Sequence, residues 1–415
     1  MSPPGRAKGE DRSAQHAGSP AAGARKRDGA LPLVLPGATL GVMGGGQLGR
    51  MFVHAAQRMG YFTAVLDPDP HSPAGRVSHE HVQADYLDEI GLAKLCGHSD
   101  AITTEFENVP AQALAQMAEH RPVSPGAAAV AIAQDRAEEK AHFTRCGVAC
   151  APHAVIANEE DLAAVADDLL PGILKTARLG YDGKGQVRVA TRAQLRAGWE
   201  SLKRTTCVLE KMLPLAFECS VLVARGRDGA IVHLPVQRNL HRDGILAVTE
   251  VHENGVAADQ ATQAIAATRR IAEGLDYVGV LCVEFFGLED GSLVVNEMAP
   301  RPHNSGHWSM DAADVSQFEL QVRTLAGLPL TQPRQHSPAV MLNLLGDLWF
   351  RAGEQAQAPD WAAVLALPGT HLHLYGKLDA RPGRKMGHLN VTGANVDAVR
   401  ATALRAAHIL GIAPF

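Results

Sequence analysis

The sequence has no apolar run approaching the roughly 18–20 residues that cross a bilayer. Its N-terminus has no hydrophobic signal core, so a cytoplasmic protein is expected. Excess positive charge is also missing. Lys and Arg number 39 against 44 Asp and Glu, a formal net charge of −5. That balance gives no basic surface for nucleic acid and points to small molecules, or a second copy of the chain, as partners. Cysteine is sparse: Cys96, Cys146, Cys150, Cys207, Cys219 and Cys282 follow no framework spacing, as expected of free thiols in a reducing compartment. Cys146 and Cys150 could form half a zinc site, but no second ligand pair follows at a suitable distance.

What is present is ordinary in bulk. A chain of 415 residues, 46% apolar and 20% charged, is too long for one core and should divide into two to four domains. Residues 1–37 are rich in Gly, Pro, Ala, Arg and Lys without apolar periodicity. Such a tail cannot bury enough surface to offset its ordering entropy and is expected to be disordered.

From residue 38 the pattern changes. A buried strand over 39–43 runs into Gly44-Gly-Gly-Gln-Leu-Gly49, then an amphipathic helix, then a second strand over 62–66 that ends at Asp67. Further short strands alternate with helices, which predicts a parallel, doubly wound sheet. Gly44-x-Gly46-x-x-Gly49 with an acidic residue about 20 positions on matches the dinucleotide fingerprint. Its physics is more general: glycines admit a phosphate to the backbone and the helix N-terminus attracts it. Gln47 adds an amide to the same crevice. The strand over 101–104 ends in Glu105-Phe-Glu107-Asn108, and a continuing strand would point both carboxylates to one face.

A charged helix over 134–145, with Arg136 and Lys140, carries the chain into a new unit. Lys175 ends a short strand and precedes Gly180-Tyr-Asp-Gly-Lys-Gly-Gln186. Three glycines and a lysine in seven residues can fold over anionic oxygens. The loop lacks Walker spacing, and a plain hairpin turn is the alternative. Glu210 ends a strand of the kind that holds adenine and ribose in nucleotide pockets. Glu218 lies on the next strand, and His241 in a polar connection.

Residues 279–299 form the centre of the chain. Two β-branched and aromatic runs flank Asp290-Gly291, a strong hairpin signal. With those two as turn residues, Glu289 faces Ser292 and Glu284 comes opposite Glu297, about 4.5–5.5 Å apart at Cβ. Two such carboxylates repel unless one takes a proton or a cation lies between them. An open oxygen pair suits Mg²⁺ shared with nucleotide phosphates; the alternative is one core glutamate and one paired with an arginine. Beyond it, Arg301-Pro-His303-Asn304-Ser-Gly306-His307-Trp308 collects donors suited to a small oxyanion. A helix over 316–325 closes at Gly327. Arg384 and Lys385 sit in a turn that could bind a phosphomonoester, or be ordinary basic surface. His371 and His373 share one face of a strand.

Taken together, GGGQLGRM, TTEFENV, LKTARLGYDGKGQ, the Glu210 segment, VEFF…VVNEMAPRPHNSGHW, SQFELQVR and RPGRKMGHLNVTG resemble the 5-(carboxyamino)imidazole ribonucleotide synthases, ATP-grasp ligases of purine biosynthesis. The resemblance covers essentially everything from Leu40 onward. It implies an ATP-grasp fold, α/β and α+β. An N-terminal doubly wound domain would span 38–139, a lid 140–209, a large domain 210–360 and a C-terminal domain 361–415. It implies carboxylation of 5-aminoimidazole ribonucleotide with bicarbonate and ATP, through carboxyphosphate, by a homodimer.

By the same resemblance Arg136, Lys175, Gly180, Tyr181, Asp182, Gly183, Lys184, Gly185 and Gln186 hold the ATP phosphates. Glu210, Lys211, Met212 and Leu213 form the adenine and ribose segment, with Glu218 and His241 nearby. Glu284 and Glu297 bind Mg²⁺. Asn296 adjoins them, although simple alternation turns it to the other face. Arg301, His303 and Asn304 hold bicarbonate or its phosphorylated form, joined in the chemistry by Lys184 and by Tyr181 and Asp182 as candidates for the amine proton. Gln47, Glu107, Arg384 and Lys385 position the ribonucleotide. The nearest rival is a formate-dependent glycinamide ribonucleotide transformylase, separated by its acid substrate. An NAD-dependent oxidoreductase built on the first glycine loop, or a nucleotide-binding protein without catalysis, is the reading from another class.

Overall fold

The computed structural model describes residues 33–180, 185–351, 353 and 355–415. Residues 33–37, counted from sequence as part of the tail, are tied into the fold. Val34 is buried, its N–H donates to the Ala326 carbonyl at 2.9 Å, and its carbonyl accepts the Tyr61 hydroxyl at 2.8 Å.

Three sheets follow in chain order. The first holds β1 (Thr39–Met43), β2 (Phe62–Leu66), β3 (Glu80–Val82) and β4 (Ala101–Thr104), all parallel in the order β3-β2-β1-β4. The short apolar runs of β1, β2 and β4 are buried almost throughout, as befits a parallel sheet covered on both faces. The second is antiparallel: β5 (His153–Ile156), β6 (Gly172–Thr176), β7 (Gln186–Val189) and β8 (Cys207–Lys211), ordered β5-β8-β6-β7. The third contains β9 (Leu215–Arg225), β10 (Ile231–His233), β11 (Gln237–Arg242), β12 (Ile245–Val251), β13 (Gly279–Leu288), β14 (Leu293–Ala299), β15 (Ala339–Leu345), β16 (Thr370–Leu374) and β17 (Lys385–Thr392). Its order is β14-β13-β9-β11-β12-β15-β17-β16, with β10 beside β9. A parallel N-terminal sheet, a small antiparallel sheet and a larger C-terminal sheet, the mixed α/β layout expected from the sequence, are what is observed.

Two of the sequence-based boundaries pass through elements. Position 139/140 lies inside the Arg136–Arg145 helix and 209/210 inside β8. The strands beyond residue 361 also belong to the same sheet as β9–β15.

Two helices matter for the site. Asp135 caps Arg136–Arg145 by accepting the Ala137 N–H at 3.0 Å, which puts Arg136 in the first turn and Lys140 one turn on, along the same face. Ser316 caps Gln317–Ala326 in the same way, and Gly327 ends that helix in the left-handed conformation. The apolar side of this second helix (Phe318, Val322, Leu325) joins Val42, Phe52 and Val65 in one core cluster. The helix therefore packs against the first sheet while continuing the chain that leaves β14 through short helical turns at Asn304–Gly306 and Ser309–Ala312. Among the described residues no helix is long and apolar enough to cross a membrane.

Candidate active site

The β13–β14 hairpin opposes Glu284 to Glu297 as the sequence predicts, but by another route. The turn is not a two-residue one. Gly291 (φ 85°) donates to the Leu288 carbonyl at 3.0 Å, and Leu288, not Glu289, pairs with Ser292. A three-residue loop of this kind shifts the ladder by one position. The shift is undone further along, where Phe285 pairs with Val295 but Glu284 with Glu297, leaving Asn296 as the extra residue of a β-bulge. Bulges re-aim side chains next to functional sites. Here Asn296 and Glu297 both line one cleft, which corrects the placing of Asn296 on the opposite face.

The cleft has a volume of about 730 Å³, within the range of small-molecule sites. Arg136, Lys175, Gly180, Gly185, Gln186, Glu218, His241, Glu284, Asn296, Glu297, Arg301, His303, Asn304, Glu107 and Lys385 all line it. β6 and β7 pair antiparallel beside the cleft: Lys175 pairs with Gln186, and the Thr176 N–H donates to the Gly185 carbonyl at 2.9 Å. The candidates Tyr181, Asp182, Gly183 and Lys184 lie outside the described residues.

On one side the cleft is cationic. Arg136 Nη1 lies 3.0 Å from Glu297 Oε2. Lys175 donates to Glu210 Oε2 at 3.1 Å, and Lys140 lies 3.4 Å from Glu210 Oε1 and donates to the Asn296 carbonyl at 3.3 Å. Burial would push the Glu210 carboxyl up, but Lys175 and Lys140 outweigh it and hold it ionised. Burial likewise pulls the Lys175 ammonium down, against Glu210. The carboxylate read as a ribose ligand is thus occupied in fixing two lysines. Glu210, Lys211, Met212 and Leu213 are not among the lining residues, although Ile173 and Leu215 beside them are. Two further residues at this site, Lys140 and Glu139, carry no motif that marks them as site residues. The four-residue spacing from Arg136 to Lys140 was the available signal. Glu139 accepts the Met298 N–H at 2.7 Å, and burial pushes its carboxyl up to about 8.

The two hairpin glutamates are driven apart in charge. Burial raises Glu284, helped by Glu297 and opposed by His241; burial also acts on Glu297, but Arg136 and Lys175 prevail and hold it low. Glu218 and His241 form an ion pair beside them. Beyond the hairpin, Arg301 is paired with Glu107. Burial, then the Arg301 charge, drives the His303 imidazole well below its usual range, so it is neutral. His307 and Trp308 do not join this group. They are buried underneath, His307 against His388 at 4.6 Å between ring centres and Trp308 in the core of the large sheet. His371 and His373 share a face as expected, and both meet the Asp311 carboxylate.

Three buried polar atoms of the cleft have no hydrogen-bond partner among the described residues: Glu284 Oε1, Asn296 Oδ1 and Asn304 Nδ2. Unsatisfied buried groups are rare and call for a partner. Two are acceptors at the bulge and fit a hard cation. The third is a donor in the Arg301–Asn304 loop and fits an oxyanion.

The glycine loop after β1 differs from expectation. Its amides are filled by the chain's own carboxylates: Gly45 N–H donates to Asp67 at 2.6 Å, Gly49 N–H to Glu105 at 2.7 Å, and Gly46 N–H to Glu105 as well. A Cβ at Gly46 would run into the Glu105 carboxylate, which accounts for the glycine without a dinucleotide. No amide of these three is left for a pyrophosphate. Glu105 and Glu107 also part company, one on the glycine loop and the other on Arg301, because β4 ends at Thr104. Gln47 starts the helix at this loop, and Arg384 donates to the Asp379 carbonyl at 2.8 Å; neither lines the cleft, whereas Lys385 does.

Comparison with known proteins adds to this geometry. Residues 37–134 match the ribonucleotide synthetase preATP-grasp domain, 141–318 the ATP-grasp domain, and 339–402 the phosphoribosylaminoimidazole carboxylase C-terminal domain. The chain is 44% identical over 357 residues to the N5-carboxyaminoimidazole ribonucleotide synthase of Brucella melitensis, covering 85% of this chain and 96% of that one. The Staphylococcus aureus N5-carboxyaminoimidazole synthetase, solved with ADP, superposes with a TM-score of 0.82 at 37% identity, over 90% of this chain and 98% of that one. The Aspergillus clavatus synthase, solved with ADP and 5-aminoimidazole ribonucleotide, gives 0.81 at 29% identity with the same coverage.

Proposed function

The chain belongs to the N5-carboxyaminoimidazole ribonucleotide synthase family of ATP-grasp ligases, and from that premise we propose how its residues divide the work. The reaction is the ATP-dependent carboxylation of 5-aminoimidazole ribonucleotide to N5-carboxyaminoimidazole ribonucleotide, a step of purine biosynthesis. One observation carries the assignment of roles: orphaned acceptors at the hairpin and an orphaned donor in the following loop face one cleft between cationic side chains.

ATP lies along the side of Arg136 and Lys175, with Gly180, Tyr181, Asp182, Gly183, Lys184, Gly185 and Gln186 as further phosphate ligands. The main chain of Glu210, Lys211, Met212 and Leu213 borders its base, with Glu218 and His241 nearby, while the Glu210 carboxylate holds Lys175. Glu284 and Glu297, with Asn296 beside them, would hold Mg²⁺. The ion supplies charge neutralisation for the triphosphate. Arg136 and Lys175 act on the same developing charge from the protein side.

Bicarbonate is held by Arg301, His303 and Asn304. Arg301 brings the charge, the Asn304 amide donates, and neutral His303 does not compete with the cations. A bicarbonate oxygen attacks the γ-phosphorus, the bond to ADP breaks, and carboxyphosphate forms. That species is labile in water, so the site must exclude solvent before transfer. The amine of the ribonucleotide, positioned by Glu107 and Lys385 in the cleft, with Gln47 and Arg384 assigned from the family pattern alone, then takes the carboxyl group, directly or through released CO₂. Phosphate leaves and the amine gives up a proton, with Tyr181 or Asp182 as acceptor. A cytoplasmic homodimer completes the reading.

The test is ADP release from Mg-ATP with bicarbonate and 5-aminoimidazole ribonucleotide added separately and together. Full turnover is expected only with both. Formate replacing bicarbonate, or turnover indifferent to the ribonucleotide, would overturn the assignment.

A further inference from the structure

We infer that Gln317 is a positioning residue for the carboxylation, aligning the loop that holds the acid substrate with the side that presents the amine. This rests on the assignment of Arg301, His303 and Asn304 to bicarbonate.

Gln317 is fully buried. Its Oε1 accepts the His303 N–H at 2.8 Å and its Nε2 donates to the His303 carbonyl at 2.9 Å. One side chain thus satisfies both backbone groups of the middle residue of the oxyanion loop, as a neighbouring strand would. The same Nε2 lies 2.8 Å from His307 Nδ1. The His303 ring is fixed separately, its Nδ1 2.9 Å from Ser305 Oγ, which is 2.8 Å from Ser220 Oγ on β9. The His303 carbonyl also accepts the Gly306 N–H at 3.0 Å, but β14 has ended at Ala299 and no strand partner remains for the His303 N–H, which Gln317 supplies.

One turn further along the helix, Gln321 performs the matching task on the other side. It is 4% exposed, and its Nε2 donates to Thr103 Oγ1 at 3.2 Å and to the Thr104 carbonyl at 3.3 Å. Thr104 ends β4, whose continuation delivers Glu105 to the Gln47 loop and Glu107 to Arg301. Residues four apart on a helix lie on one face about 6 Å apart along the axis. Two amides on one rigid helix therefore set the spacing between the bicarbonate loop and the end of β4. The Glu107–Arg301 pair spans the same gap from the cleft side. Small displacements of a reacting group are costly, and a shift of about 1 Å can lose roughly 10²-fold in rate.

The test compares the full-length wild type with Gln317→Met, which keeps the length and removes the polar contacts. Gln317→Met is expected to raise KM for bicarbonate about tenfold or more while leaving KM for ATP within about twofold. ADP formed per carboxylated product should also rise above the wild-type ratio, because a misaligned loop loses its activated acid to water. A uniform fall in kcat, with both KM values and the ratio unchanged, would mean a merely structural role and would overturn the inference. So would wild-type behaviour. Gln317→Glu keeps the acceptor for the His303 N–H but not the donor, and should fall between; it serves if the methionine variant does not fold, and wild-type values there would likewise overturn the inference. His303→Ala separates the two layers of the argument. If it raises KM for bicarbonate and Gln317→Met does not, only the positioning claim fails; if neither does, the loop is wrongly assigned.

Discussion

Glu297→Gln is expected to reduce turnover by about 10³-fold or more, the scale on which losing a preorganised charge at a phosphoryl-transfer site is felt, while the protein stays folded. Glutamine keeps the shape and loses the charge. The Glu297 side chain is 39% exposed and its partner Arg136 19%, so the ion pair is screened and contributes about 1 kcal/mol or less to stability. An apparent Tm within about 3 °C of wild type follows for a unit of this size. Steady-state ADP release together with a thermal melt checks both halves. Near-wild-type turnover in the folded variant would remove Glu297 from the metal site.

Glu210→Gln should behave in the opposite way, with a large loss of stability. Glu210 is 4% exposed and shared by Lys140 and Lys175, whose side chains are 0% and 12% exposed. Removing its charge leaves two buried ammonium groups without their common counter-charge, and breaking such a buried arrangement typically costs about 3–5 kcal/mol. For a unit of this size that corresponds to an apparent Tm lower by roughly 4–6 °C. Function should follow through Lys175. Burial already depresses its pKa and Glu210 opposes the depression, so without Glu210 the ammonium loses its proton at lower pH. Activity of the variant should therefore fall off earlier than wild type as pH rises, with a higher KM for ATP. A variant as stable as wild type with an unchanged alkaline limb would contradict this account of the three charges.

Much of this was legible in the chain, and the misses have physical causes. The family resemblance drawn from motifs such as GGGQLGRM and PRPHNSGHW holds across the chain. Opposition of Glu284 and Glu297 came out as read, yet through two offsetting departures: a longer turn at Gly291 and a bulge at Asn296. Counting from a turn cannot reveal a bulge, because the extra residue leaves the apolar pattern on either side intact. The glycine loop misleads for a different reason. Its sequence records only that something anionic approaches the backbone, and Asp67 and Glu105 arrive from 22 and 59 positions away. The partners of Glu210 are equally non-local, since Lys140 comes from a helix and Lys175 from β6. Residues 33–37 carry no periodicity to read as structure, yet Val34 and Gly37 tie them in through Ala326, Tyr61 and Gly60.

The central claim is that the bulged hairpin brings two carboxylates to one divalent cation shared with the nucleotide. A crystal structure of the chain with Mg²⁺ and ADP tests it most directly. The account predicts Mg²⁺ bound to the nucleotide phosphates and to oxygens of both Glu284 and Glu297 at about 2.0–2.1 Å. A metal held on the phosphates with neither glutamate in contact, or bound by other side chains, would contradict it.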